Sequence, residues 1–236
     1  MICKLKNIYK KFDNLDVLSN LNLDINKGKI ICIVGPSGCG KSTLLNIVSG
    51  LIRPDKGDII GDLNSVGYVF QEDRLLPFKT VYENIAIVGK EKNHKKIMDL
   101  INDVGLDGFE ESYPNKLSGG MRQRCSIARA FYFNCEILLM DEPFKSLDYN
   151  LKANMIDYLI KLWDKSKNSI LFVTHSIDEA VLLGDKIIVL SNRPTSVLKI
   201  FNIDIHQSKR SLTNDYITDV RNRIIDLLII SNNKGE

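Results

Sequence analysis

Gly35-Pro36-Ser37-Gly38-Cys39-Gly40-Lys41-Ser42-Thr43 fills every fixed position of the pattern G-x-x-x-x-G-K-[ST]. It follows the apolar run 30–34 and leads into Leu44-Leu45-Asn46-Ile47-Val48, which Gly50 can stop. A buried strand, a glycine-rich loop and a helix start in that order form a phosphate cradle. The glycines let backbone N–H groups curl around phosphate oxygens, and the helix N-terminus adds partial positive charge. In such a loop Lys41 reaches the β- and γ-phosphates, the Ser42 hydroxyl ligates Mg²⁺, and Thr43 supports the α-phosphate. The ligand is a nucleoside triphosphate. Cys39 lies inside the loop, where the lysine and helix-end charges favour a reactive thiolate.

The remainder of the chain must build a domain around this loop. At 236 residues it is long enough for one α/β domain with a sizeable core. Its 44% hydrophobic and 26% charged residues are ordinary for a soluble globular protein. A net charge of +3 is too small to argue for nucleic acid. No apolar run approaches the ~20 residues of a membrane span, and the first six residues lack the apolar core of a signal peptide. The five cysteines (Cys3, Cys32, Cys39, Cys125, Cys135) show no C-x-x-C spacing, which suits free thiols in a reducing compartment.

Residues 2–25 read as strands with turns, and 53–57 reads as a turn. Between the first strands lies Tyr9-Lys10-Lys11-Phe12, where an aromatic can stack on a base; Phe12 is the choice, with Tyr9 behind it. Strand 66–70 delivers Gln71, followed by the proline-broken apolar stretch 75–78, which reads as a docking loop. From 81 to about 117 the pattern is helical and polar, and the charge cluster 90–96 with His94 reads as a solvated face. Ser118 is placed to cap the helix 121–133, and Gly119 and Gly120 leave its first N–H groups uncovered, making a second anion site. One chain rarely needs two such sites for one triphosphate.

Strand 137–140 ends in Asp141-Glu142, at the end of a parallel strand where a ligand crevice opens. There Asp141 holds Mg²⁺ through water and Glu142 orients and deprotonates the attacking water. Strand 170–173 ends in Thr174-His175, which places His175 against the γ-phosphate and that water. The tail carries Ile217, Val220, Ile224, Leu227 and Leu228 at helical spacing, an amphipathic helix packing back on the domain.

Together these pieces resemble the nucleotide-binding subunit of an ABC transporter, over nearly the whole chain. On that resemblance 35–43 is the Walker A loop and Gln71 the Q-loop glutamine. Leu117-Ser118-Gly119-Gly120-Met121 is the signature, and Asp141 ends Walker B with Glu142 as base. Ser146-Leu147-Asp148 is the D-loop and His175 the switch histidine. The resemblance implies an α/β fold: a P-loop NTPase (RecA-like) core, an N-terminal antiparallel β subdomain and a helical insertion carrying the signature. Residues 1–236 then form one ABC ATPase domain, with a helical subdomain at about 81–120 and a C-terminal amphipathic helix at about 213–230.

It implies that Phe12, Gly35, Pro36, Ser37, Gly38, Cys39, Gly40, Lys41, Ser42, Thr43 and Gln71 contact ATP. Ser118, Gly119, Gly120 and Asp148 complete the site of a second copy in a homodimer. Ser42, Gln71 and Asp141 surround Mg²⁺, and catalysis rests on Glu142, His175, Gln71 and Lys41. The partners implied are integral-membrane permease subunits and, indirectly, an extracytoplasmic solute-binding protein, with no nucleic acid; the place is the cytoplasmic face of the membrane.

Met121-Arg122-Gln123-Arg124, Asp141-Glu142-Pro143-Phe144 and Ser191-Asn192-Arg193-Pro194 resemble the nitrate/sulfonate/taurine branch of importers, which includes relatives that import thiamine precursors. Two positions depart from the family. Met121 stands where glutamine is commoner, although methionine is usual in this branch, and Lys145-Ser146 replaces a small pair before Leu147-Asp148. Neither position touches a phosphate ligand, so what they put at stake is D-loop coupling. The competing classes are a soluble ABC ATPase acting on ribosomes or nucleic acid, which generally carries two cassettes or a long coiled coil, and an exporter ATPase subunit, usually fused to membrane spans.

Overall fold

A computed structural model of the chain describes residues 1–61, 65–145 and 147–233. The phosphate loop leaves β3 (Ile30–Val34), the middle of a six-stranded sheet with the order β5-β6-β7-β3-β8-β9. The parallel strands are β5 (Val66–Val69), β6 (Ile137–Asp141), β7 (Ser169–Thr174), β3 and β8 (Lys186–Leu190). β9 (Val197–Asn202) closes one edge antiparallel to β8. Every residue of β3 and β7 is buried, as expected of a parallel sheet covered on both faces.

Alternate residues of these strands serve two separate cores, because successive side chains point to opposite faces. Ile31, Ile33, Leu139, Leu171, Val173 and Ile188 face one cluster, with α1 (Lys41–Val48) and the N-terminal sheet above them. Ile30, Cys32, Met140, Phe172, Ile187 and Val189 face the other, with the remaining helices. Full burial of a side chain such as Phe172 contributes about 2–3 kcal/mol before entropy is counted.

The second sheet is antiparallel with the order β2-β1-β4, from β1 (Cys3–Phe12), β2 (Leu15–Ile25) and β4 (Lys56–Gly61). The expected turn at 53–57 therefore ends early, and its last residues open β4. That strand escapes a pattern reading because it is short, polar and bounded by glycines. Gly57, at φ 93°, has no alternative: a Cβ there would lie 2.2 Å from the Asn7 carbonyl oxygen. β9 escaped for a similar reason, since its residues are mostly exposed and it pairs on one side only.

The helical stretch expected from 81 to 117 is broken into α2 (Val81–Ala86), α3 (His94–Asp103) and a 3₁₀ turn, Pro114–Lys116. Thr80 and Glu83 start α2 with a reciprocal capping box. The charged residues 90–96 are all exposed, the solvated face that the sequence indicates. α4 (Gly119–Phe133) packs on both helices, then come α5 (Tyr149–Ser166) and α6 (Ile177–Leu183). The expected C-terminal helix is α7 (Asp215–Asn233), which buries Ile217, Val220 and Ile224 and packs on α6.

Candidate active site

β6, β7, β3 and β8 are adjacent and parallel, so their C-terminal ends share one edge of the sheet. The register pairs Val34 with Thr174 and Asp141 with Val173, which brings the phosphate loop, Asp141-Glu142 and Thr174-His175 together there. At the other edge a concavity of about 810 Å³ is lined by Lys29, Trp163, Lys186 and His206. It holds none of the phosphate-loop residues, and the chemistry lies instead along the open edge.

The loop takes its shape from glycines at positive φ, 75° at Gly38 and 109° at Gly40. Gly40 caps α1, and a Cβ there would stand 2.7 Å from Val17 Cγ1. Lys41 is buried, and its ammonium donates to the carbonyls of Gly35 at 2.8 Å and Pro36 at 2.9 Å. These are the oxygens that a phosphate must outcompete. Phe12 lies at the tip of the β1–β2 hairpin, 42% exposed, with Lys10 Nζ 5.3 Å from its ring centre. An exposed ring of this kind is available to stack.

Cys39 corrects one expectation. It is 2% exposed, and burial raises its thiol pKa against the opposing charges of Lys41 and Arg193. Its sulfur turns into the core below the loop, so the thiolate is disfavoured and only its backbone is offered to phosphate. All five cysteines are free and buried.

Asp141 sits half-buried at the end of β6. Burial raises its pKa, the neighbouring Glu142 adds to that, and the Ser42 hydroxyl, Lys41 and Tyr68 oppose it. Tyr68, on β5, donates weakly to Asp141 Oδ2 at 3.5 Å and lies 3.4 Å from Asn46 Oδ1 on α1. The sequence reading missed it, although its alternation with buried Gly67 and Val69 points it away from the core strand positions. Ser42 and Asp141 are two hard oxygen donors side by side, with a carboxylate that gains from a cation. That fits Mg²⁺, which binds through one or two carboxylates and keeps waters and phosphates as its other ligands. No cluster of three or more His, Cys, Asp or Glu able to hold a metal occurs among the described residues.

Glu142 adopts φ 44°, a strained conformation for this residue, and its amide is anchored to the Val173 carbonyl at 2.9 Å. The side chain meets His175 Nδ1 at 3.1 Å and Lys145 Nζ at 2.9 Å, both on Oε2. Burial pushes its pKa up, but Lys145 and His175 together outweigh that and hold it below the usual carboxylate range. The unusual lysine of the sequence therefore touches the carboxylate that the sequence reading expects to act as base. Behind His175, Thr174 Oγ1 donates to buried Glu179 at 2.6 Å, and Glu179 pairs with Lys152 of α5 at 3.5 Å.

The remaining expected residues bond within their own elements. Ser118 caps α4, accepting from the Met121 amide at 3.3 Å, and Ser118 and Gly119 are exposed. Asp148 caps α5 through the Leu151 amide at 2.9 Å. Ser146 lies outside the described residues. Gln71 is exposed, and the loop after it is strapped to α4. Arg122 Nε donates to Asp73 Oδ2 at 2.9 Å, and Arg129 donates to the carbonyls of Arg74 and Asp73. Buried Asn84 fixes the Leu76 backbone, while Phe78 is left 70% exposed.

The family model for "ABC transporter" matches residues 18–145. The chain is 39% identical over 226 residues to the aliphatic sulfonates import ATP-binding protein SsuB of Bacillus cereus, covering 92% of this chain and 90% of that one. It is 37% identical over 242 residues to an uncharacterized ABC transporter ATP-binding protein of Methanocaldococcus jannaschii, at 95% and 90% coverage. Among solved structures it is similar to the ATP-binding cassette MJ0796 in its dimeric post-hydrolysis state with ADP and Pi. The TM-score is 0.73 and the identity 32%, over 85% of this chain and 98% of that one. With the phosphate loop, the acidic strand end and the histidine on one edge, the chain belongs to the ABC transporter family and is an ATP-hydrolysing cassette of it.

Proposed function

We propose that the chain is the ATPase subunit of an importer for a small solute of the sulfonate class. In this reading two copies enclose two ATP molecules head to tail, beneath permease subunits at the cytoplasmic face of the membrane. The observation that carries it is the division of the site. Lys41, Asp141, Glu142 and His175 gather on one strand edge, while the exposed Ser118-Gly119 helix end stands on the helical insertion and bonds within its own helix. A phosphate-binding helix end with no phosphate loop of its own is satisfied by the loop of a second copy. The likeness to a solved dimeric cassette and to the sulfonate import protein of Bacillus cereus supports this reading.

Each residue then has a task. The backbone of 35–43 wraps the phosphates, and the Lys41 ammonium exchanges the Gly35 and Pro36 carbonyls for phosphate oxygens. Phe12 carries the base. Mg²⁺ would offset the charge of the triphosphate; Ser42 and Asp141 would hold it, with Gln71 beside them. Glu142 accepts the proton of the attacking water through a carboxylate whose Oε2 is oriented by His175. Gln71 and the exposed Phe78 lie on one short loop, so permease contact is linked to the phosphates on one side and, through Arg122 and Arg129, to the signature helix on the other.

Reconstitution with the membrane subunits and a solute-binding protein tests this. Vesicles should accumulate an alkanesulfonate in step with ATP hydrolysis, and the sulfonate-loaded binding protein should stimulate that hydrolysis. Hydrolysis unaffected by the loaded binding protein would overturn the importer reading.

A further inference from the structure

The motif Ser191-Asn192-Arg193-Pro194 has so far marked only a branch of the family. In the structure it begins the turn 191–196, which returns the chain from β8 into β9. The turn is closed on itself: the Ser191 amide bonds the Ser196 carbonyl at 3.0 Å, and the Ser196 amide bonds Ser191 Oγ at 2.9 Å. Thr195, fully buried, joins two walls of the site. Its amide donates to the Val17 carbonyl at 2.9 Å, its carbonyl accepts from the Ser19 amide at 2.9 Å, and its hydroxyl donates to the Cys39 carbonyl inside the phosphate loop. Val17 is the residue whose side chain presses on Gly40. The hairpin that carries Phe12 and the loop that cradles phosphate are thus tied together through one residue. Two positions earlier, the exposed Arg193 extends over the loop, with Nη2 3.7 Å from where a Cβ on Gly38 would stand.

We propose that the turn 191–196 is a further wall of the nucleotide site, in which Arg193 contacts the polyphosphate and Thr195 is the positioning residue that holds the turn, the loop and β2 together. A guanidinium is a fixed cation whose forked donors match phosphate oxygens. The rigid turn limits the entropy lost when that contact forms. The proposal rests on the reading of 35–43 as the nucleotide loop.

The test is equilibrium titration of the full chain with a fluorescent ADP in the presence of Mg²⁺, with ATP-driven pairing followed by size exclusion in parallel. R193A should weaken ADP binding about tenfold, the scale of one charge-assisted hydrogen bond, and R193K by less. T195V, which keeps the shape and removes the hydroxyl, should weaken ADP binding while leaving the melting transition cooperative, and T195S should restore it. R193A binding ADP within twofold of the parent overturns the contact; if such a variant loses only ATP-driven pairing, Arg193 serves a carboxylate of the second copy instead. T195S as weak as T195V overturns the positioning role. K41A separates the two readings: if K41A also binds ADP like the parent, the phosphate-loop assignment is what has failed.

Discussion

Replacing Lys145 with alanine isolates the one charge in the site that the family pattern does not supply. Its ammonium lies 2.9 Å from Glu142 Oε2; the lysine side chain is 47% exposed and the glutamate 13%. At ε of about 20 two charges at this distance would attract by about 6 kcal/mol, but solvent screening of a half-exposed lysine reduces the net effect to about 0.2–1 kcal/mol. Burial alone raises the Glu142 carboxyl; Lys145 and His175 bring it below the usual range. Without Lys145 burial counts for more and the pKa rises. Glu142 must be ionised to accept a proton, so the acid limb of the kcat profile moves to higher pH. Above that limb the base is stronger, and kcat rises about two- to threefold for a change of this size.

Stability moves oppositely. A carboxyl with a depressed folded pKa contributes stability above its unfolded pKa and loses it as pH falls through the folded value. The variant is therefore less stable than the parent by up to about 1 kcal/mol at neutral pH, and the difference disappears in acid. The assay is kcat at saturating Mg-ATP from about pH 5 to about pH 9, with urea unfolding at both ends. An acid limb that stays in place or moves down would refute the reasoning.

Glu142→Gln should retain ATP binding and lower turnover at least a hundredfold, because an amide orients water without accepting its proton; parental turnover would remove Glu142 as the base. Thiol-alkylating reagents should leave the folded enzyme's ATPase largely intact, since Cys39 is buried and its thiolate disfavoured; rapid inactivation that Cys39→Ser abolishes would contradict this. Replacing Leu76 and Phe78 with serine should leave the free subunit's ATPase within about twofold and weaken recovery of the permease in a pull-down; undiminished recovery would refute the docking role.

The loop 35–43 and the residues Asp141, Glu142 and His175 were legible because each stands at the end of an apolar run, and parallel strands bring such ends to one edge. Ser118 was legible as a cap because its residue type and the glycines after it state the local geometry. What could not be read was long-range. Lys145 read only as a departure that bears on D-loop coupling; the positive-φ turn at Glu142 brings its ammonium back onto the carboxylate. Cys39 has a loop's sequence context but a core residue's surroundings. Tyr68, Thr195 and the arginines that strap α4 to the Gln71 loop act across 49 to 156 positions of sequence or through backbone carbonyls, neither of which leaves a periodic signal. β4 and β9 are edge strands, too polar or too short for alternation to mark them.

The claim that the site is shared between two copies can be measured directly by mixing two disabled chains. K41A lacks the phosphate-loop charge. G119D places a carboxylate at the α4 N-terminus, where the shared-site reading puts the second copy's phosphates; only Arg122 Nη2 comes within 3.9 Å of the new Cβ, so the fold tolerates it. Neither variant should hydrolyse ATP alone. A mixed pair contains one site made of intact Lys41 from one chain and intact Gly119 from the other. With random pairing, half the pairs are mixed and each carries one of two sites, so the mixture should recover about a quarter of parental ATPase. A mixture no more active than its two components would contradict the shared site.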